Sequence, residues 1–157
     1  ELTDSGYPMK IRRWKRGEDY KTTPIVFEGK NTDVSVGAGA SRDTKDGPYS
    51  YLFFVRSLDF YSIEYFVLIN GEVKKINLPV DVRVDTTKDH MYVSNKSTWK
   101  YKKQTFKTGS LVKMNIKDFI LDEALPELMF EPNSTTFLSA STCFINSSLI
   151  YFDTTSG

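Results

Sequence analysis

The pair Asn70-Gly71 constrains this chain more than any other two residues. It stands between Tyr65-Phe66-Val67-Leu68-Ile69 and Glu72-Val73-Lys74-Lys75-Ile76. A two-residue type I′ turn needs positive φ at both central positions, which Asn and Gly tolerate. The pattern therefore predicts an antiparallel hairpin, and with it a fold assembled by sheet pairing. Upstream, Tyr51-Leu52-Phe53-Phe54-Val55 is a short apolar run suited to a buried strand.

Downstream the same logic continues. Pro79 breaks the run. Val80, Val82 and Val84 then alternate with Asp81, Arg83 and Asp85, the signature of a half-buried strand. Two further strands are expected, Met91–Ser94 and Trp99–Phe106, with Gly109 separating the second from Leu111-Val112-Lys113-Met114. The period then changes. Asn115 can cap a helix, with Asp118 in its first turn and Ile116, Phe119, Ile120 and Glu123/Ala124 at helical spacing. Pro126 ends it. Thr135 to Phe152, rich in Ser, Thr and β-branched residues, reads as one or two closing strands. Gly37 to Gly47 reads as a loop, without the Gly-Lys-Ser/Thr of a phosphate cradle. No internal repeat is visible. The expected fold is mainly β, an antiparallel sheet or two packed sheets, with one short helix near 115–125.

Length and composition suit one globular domain over 1–157. Of 157 residues, 39% are hydrophobic and 26% charged, which sets the chain apart from disordered sequences. The aromatic share of 14% favours half-buried pleated surfaces. A net charge of +1 argues neither for nucleic acid nor for an acidic membrane, and no apolar run is long enough for a membrane span. One cysteine, Cys143, excludes an internal disulfide. No signal peptide opens the chain, and its start at Glu1 suggests a fragment of a longer protein. Residues 1–23 form a basic N-terminal arm or edge segment containing Lys10-Ile11-Arg12-Arg13-Trp14-Lys15-Arg16. Such an arm either touches phosphates or a polymer, or is an edge strand on which Ile11 and Trp14 pack down. The rest of the chain is not basic, which favours the second.

Chemistry-bearing residues are sparse. With the single His90 and the single Cys143, a zinc site has too few ligands, and His90 reads as a turn residue. Cys143 lies in an apolar strand pattern, where a free thiol behaves as a small hydrophobe. Asp59, Glu64, Asp122, Glu123, Glu127 and Glu131 supply carboxylates. Asp122, Glu123 and Glu127 read as the wet face of the helix rather than a hydrolytic pair. Three sequons, at Asn95, Asn133 and Asn146, carry no information about modification in so Ser/Thr-rich a chain. No enzyme activity, cofactor or metal is expected. Aromatic and amide side chains do crowd the predicted loops. Trp99 and Tyr101 alternate with Lys100 and flank Lys102-Lys103, a composition that stacks on sugar rings and orients hydroxyls.

Three segments in order carry a family resemblance. These are Asp46-Gly47-Pro48-Tyr49, then Glu64 to Asn70, then Val93-Ser94-Asn95-Lys96-Ser97-Thr98-Trp99-Lys100-Tyr101. In this the chain resembles the receptor-binding head of the rotavirus outer-capsid spike. The resemblance implies a galectin-like sandwich or a divergent α+β variant of it. It implies a non-enzymatic glycan-binding attachment domain on the virion surface, with host-cell glycans and the remainder of the spike as partners. Neither nucleic acid nor membrane insertion enters. Trp99 and Tyr101 are nominated as glycan-binding on chemistry. Arg83 is added by its place near the end of an early strand, and Asn95 by its place in the matched segment. The alternatives are a protein-interaction or structural β domain of a surface antigen or adhesin, and a hydrolase with paired carboxylates.

Overall fold

The computed structural model describes residues 1–41 and 51–138, together with the backbone of Cys143–Ile145 and Ser148–Ile150. The fold is mainly antiparallel β with one short α-helix. The chain divides into two compact units. The first holds Glu1–Asp81 and Thr86–Asp89; the second holds Val82–Asp85 and His90–Gly157.

In the first unit, β1 (Lys10–Arg12) pairs antiparallel with β2 (Ile25–Glu28). The loop between them ends in a 3₁₀ turn, Tyr20–Thr22, capped by Asp19. Four strands follow as a sheet in which each lies beside its sequence neighbour: β3 (Ser35–Ser41), β4 (Tyr51–Ser57), β5 (Ile63–Ile69) and β6 (Glu72–Lys75). The Asn70-Gly71 turn has φ of 50° and 83°, and closes on the pair Ile69↔Glu72. That is the hairpin the sequence predicts. The expected loop at Gly37–Gly47 is a strand as far as Ser41, paired with β4 through all seven of its residues. Residues 42–47 lie outside the described residues. Gly37-Ala38-Gly39-Ala40 has no side-chain alternation to read, so here the pairing partner, not the local sequence, decides the conformation.

Two apolar faces come from these strands. Phe54 and Phe66 stand opposite each other on β4 and β5, and Phe27 of β2 covers them. Its ring stacks on Phe54 at 4.9 Å with 5° between planes and lies tilted, 5.0 Å from Phe66. The other face carries Phe53, Tyr65 and Val67, all buried. Each such side chain contributes about 1.5–3 kcal/mol of transfer free energy.

In the second unit, β7 (Val82–Thr87), β8 (His90–Asn95), β11 (Leu111–Asn115) and β12 (Glu127–Phe130) form another four-stranded sheet, ordered β12-β11-β8-β7. Thr86 and Thr87 of β7 count with the first unit. Between β8 and β11 the hairpin of β9 (Trp99–Tyr101) and β10 (Gln104–Phe106) is inserted. The single strand expected over Trp99–Phe106 is therefore two, turning at Lys102 with φ of 51°. Between β11 and β12 sits α1 (Ile116–Ile120). The side chain of Asn115 accepts from the Asp118 amide, as expected of a cap. The helix stops well before Pro126. Asp122 takes a left-handed φ of 58°, and the Asp118 carbonyl accepts from the amides of Glu123 and Ala124. Glu127 accordingly stands on β12, not on a helix face. Met91, Val93, Val112, Met114 and Ile116 form the buried centre. Within the expected closing segment, β13 (Cys143–Ile145) pairs with β14 (Ser148–Ile150). Each large sheet is thus four antiparallel strands, each hydrogen-bonded to its nearest neighbours in chain order once the β9–β10 insertion is set aside. The sequence shows no repeat to announce this.

Candidate functional site

The densest polar cluster lies in the first unit. Asp33, in the turn before β3, is almost fully buried and receives both Nε and Nη2 of Arg56, each at 2.7 Å. The Lys30 amide donates to the same carboxylate at 2.7 Å. Arg56 also reaches its cross-strand neighbour Glu64 through Nη1 at 3.1 Å, and Lys75 Nζ donates to Glu64 at 2.5 Å. Two cations and two anions close on one another. The Arg56 hydrogen bonds hold the Asp33 carboxyl below the usual carboxylate range against the opposing effect of burial. Asp33 likewise raises Arg56. Gly29 leaves the room for this: a Cβ there would stand 2.7 Å from Asp33 Oδ2 and 2.6 Å from Val36 Cγ1. Of this cluster only Glu64 stands out in the sequence, as one of several carboxylates. The cross-strand pair Arg56–Glu64 was the available signal, and it needs a register that Asn70-Gly71 does not set.

The four nominated residues all lie in the second unit. Trp99 is 5% exposed, with Tyr101 and Phe106 packed at 5.7 and 5.4 Å, so its ring offers no open face to a sugar. Tyr101 is half-buried and packs on Phe119. Its hydroxyl donates to Asp122 at 3.4 Å, and burial, reinforced by the Asp122 charge, pushes the phenol up. Lys102 Nζ donates to the carbonyls of Asp122 and Ala124 at 2.7 and 3.3 Å, fastening the β9–β10 hairpin to the end of α1. Asn95 is 3% exposed, and its Nδ2 donates to the carbonyls of Ser97, Phe106 and Lys107 at 2.6, 3.3 and 2.8 Å. That amide joins the segments on either side of the hairpin and is not turned to solvent. The structure therefore brings Trp99, Tyr101 and Asn95 to one hairpin as packing and bracing groups, while Arg83 stands exposed on β7.

The remaining candidates have other occupations. Asp59 accepts from the Tyr61 and Ser62 amides at 2.7 Å, closing the β4–β5 turn. Glu131 pairs with Lys107 at 2.5 Å and Glu127 with Lys113 at 3.4 Å. His90 opens β8 opposite Asn115, rather than occupying the turn. Among the described residues no three His, Cys, Asp or Glu side chains gather as a metal site. No helix among them is long and apolar enough to cross a membrane. The Cys143 side chain, the Asp46–Tyr49 motif and the Asn146 sequon lie outside the described residues. Trp14, expected to pack down, is 55% exposed.

Comparison with known proteins redirects the functional reading. No family model matches the chain. It is 30% identical over 141 residues to an uncharacterized peptidase of Rickettsia prowazekii (strain Madrid E), covering 84% of this chain and 19% of that protein. It is also 30% identical over 150 residues to an uncharacterized peptidase of Sinorhizobium fredii, covering 90% of this chain and 20% of the other. Among solved structures, a post-proline cleaving enzyme from Rickettsia typhi superposes with a TM-score of 0.77 at 25% identity. The match covers 96% of this chain and 26% of that one. The chain thus spans about a fifth of the curated relatives it matches.

These matches overturn the resemblance to the rotavirus spike head and everything that rested on it. The relatives are bacterial peptidases, so host glycans and the remainder of a spike fall as partners and the virion surface falls as location. The glycan-binding attachment function and the expected lack of enzyme activity fall with them. The physical reason is visible in the matched segments. Glu64–Asn70 is β5 with its hairpin turn, and Val93–Tyr101 is the end of β8 with β9. Their aromatic, β-branched and turn residues are what any half-buried hairpin selects.

Proposed function

We propose that this chain is a β-sheet portion of a peptidase that cleaves after proline, and that it supplies framework to that enzyme rather than its hydrolytic groups. The observation that carries the reading is the extent of the structural match. Nearly the whole chain, 96%, follows a post-proline cleaving enzyme at a TM-score of 0.77, yet it accounts for only 26% of that enzyme. Two peptidases matched over 84% and 90% of the chain support the same class.

The division of labour follows from the side chains. Peptide hydrolysis needs a nucleophile within hydrogen-bond reach of a base and donors for the developing oxyanion. Among the described residues the best-organised ionisable groups, Arg56, Glu64 and Lys75 on one sheet and Asp33 in the turn beside it, neutralise one another. Tyr101, Lys102 and Asp122 brace a hairpin.

The test uses the whole protein that carries this chain, beside the chain alone, on internally quenched peptides holding one proline at varied positions. Mass spectrometry of the products locates the cut. The whole protein is expected to cut on the carboxyl side of proline, and the chain alone to cut nothing. A folded whole protein that cuts no peptide would overturn the peptidase class, one that cuts without regard to proline would overturn the post-proline specificity, and cleavage by the chain alone would overturn the framework role.

A further inference from the structure

The loop between β1 and β2 carries charge that the fold does not use. Residues 10–21 include Lys10, Arg12, Arg13, Lys15, Arg16 and Lys21 against Glu18 and Asp19. Two of these cations have structural tasks: Lys10 pairs with Glu1 and Glu28, and Arg12 donates to the Thr23 carbonyl at 2.5 Å. The other four, Arg13, Lys15, Arg16 and Lys21, are exposed and form no ion pair among the described residues. Both acidic side chains are tied to backbone amides, Glu18 to that of Lys15 at 3.1 Å and Asp19 to that of Lys21 at 3.0 Å.

Two aromatic rings stand among these cations. Trp14 is 55% exposed, and its indole N–H donates to the Glu18 carbonyl at 2.9 Å. Its one polar atom is therefore satisfied inside the loop, and what faces water is apolar ring. Tyr20 is 66% exposed, with Lys21 Nζ 6.0 Å from its ring centre. The loop shape is fixed by these bonds and by the turn at Gly17, whose φ is 95°.

We propose that this loop is a docking surface for an acidic polypeptide segment, one carrying Asp or Glu together with an apolar side chain. Arg13 and Arg16 present planar forks that match carboxylates, and the exposed rings take the apolar group. The rings lose little conformational entropy on binding because the loop already holds Trp14. A nucleic acid fits less well, because the cations occupy one short loop while the whole chain carries only +1. The inference stands apart from the peptidase reading.

The test is fluorescence anisotropy of a short labelled peptide of Glu and Leu with one Phe, against the whole protein that carries this chain. Saturable binding is expected, weakening about tenfold between about 50 and 300 mM salt, as exposed charges are screened. The double variant R13S/R16S is expected to bind about tenfold more weakly, and Trp14→Ser to lose the preference for the Phe-containing peptide. The Arg13 and Arg16 side chains are exposed and hold no bond the loop uses, so thermal melting of R13S/R16S should be unchanged, and that variant carries the test if Trp14→Ser, which loses the bond to the Glu18 carbonyl, loosens the loop. Absent binding, binding indifferent to these variants, or tighter binding of a single-stranded oligonucleotide of equal charge would overturn the proposal.

Discussion

Arg56 grips both oxygens of Asp33 at 2.7 Å, and so ties β4 to the turn that launches β3. Removing one member of a buried pair strands the other charge. Asp33→Ala is expected to cost about 3 kcal/mol, because Arg56 would then be left with Glu64 alone. Arg56→Lys keeps the charge but loses the fork, and should be destabilising as well. Urea denaturation midpoints of the three proteins measure this directly.

The same pair makes the first unit sensitive to acid. The folded Asp33 carboxyl titrates below its ordinary value of 3.8 because Arg56 favours its charged form. A depressed folded value contributes stability that is fully present above the ordinary value. It is lost as the pH falls through the folded one. Melting temperature is therefore expected to decline on acidification below about pH 4, and the Asp33→Asn protein should show a shallower decline.

Asn95 offers a test in the second unit. Its Nδ2 serves three carbonyls, more acceptors than an amide's two protons can satisfy at full strength. Asn95→Ala removes this brace and leaves the buried Phe106 carbonyl and the partly buried Ser97 and Lys107 carbonyls short of a donor, and should cost about 2 kcal/mol. Asn95→Asp should cost more, since an ionised carboxylate only accepts and would face three acceptors. Thermal melts of the two variants, with the ordering Asp below Ala below wild type, are the expected result.

Trp99 and Tyr101 should separate cleanly. Trp99→Ala removes a buried ring packed on Tyr101 and Phe106, at an expected cost of about 3–5 kcal/mol. Tyr101→Phe removes only a hydroxyl whose bond to Asp122 is 3.4 Å long, and should cost under about 1 kcal/mol. Chemical denaturation of both proteins checks the ordering.

What could be read in the sequence was local. The Asn70-Gly71 turn and the valine alternation each follow from a few adjacent residues; the turn appears in the structure, and the alternation does at Val82 and Val84, while Val80 lies exposed before the strand. The Asn115 cap is of the same kind. The β9–β10 turn was hidden because Lys102 adopts a left-handed φ without the Gly or Asn that advertises one. β3 was hidden because glycine and alanine leave no periodic signal. The Asp33–Arg56 pair joins residues 23 positions apart, and only the strand register brings them together. The functional class was least legible, since the nominated residues were chosen for surface chemistry and Trp99 and Asn95 prove to be interior.

The smallness of β3 has a consequence for handling. At the opposite edge of its sheet, β6 carries Glu72, Lys74 and Lys75, charges that discourage a foreign strand from pairing there. β3 itself carries no charged residue. Past Val36, whose amide is taken by the Pro8 carbonyl, it presents Gly37 to Ala40 with neither charge nor bulk. Prepared on its own, the chain therefore offers along β3 a template for self-association that its balanced net charge does not offset.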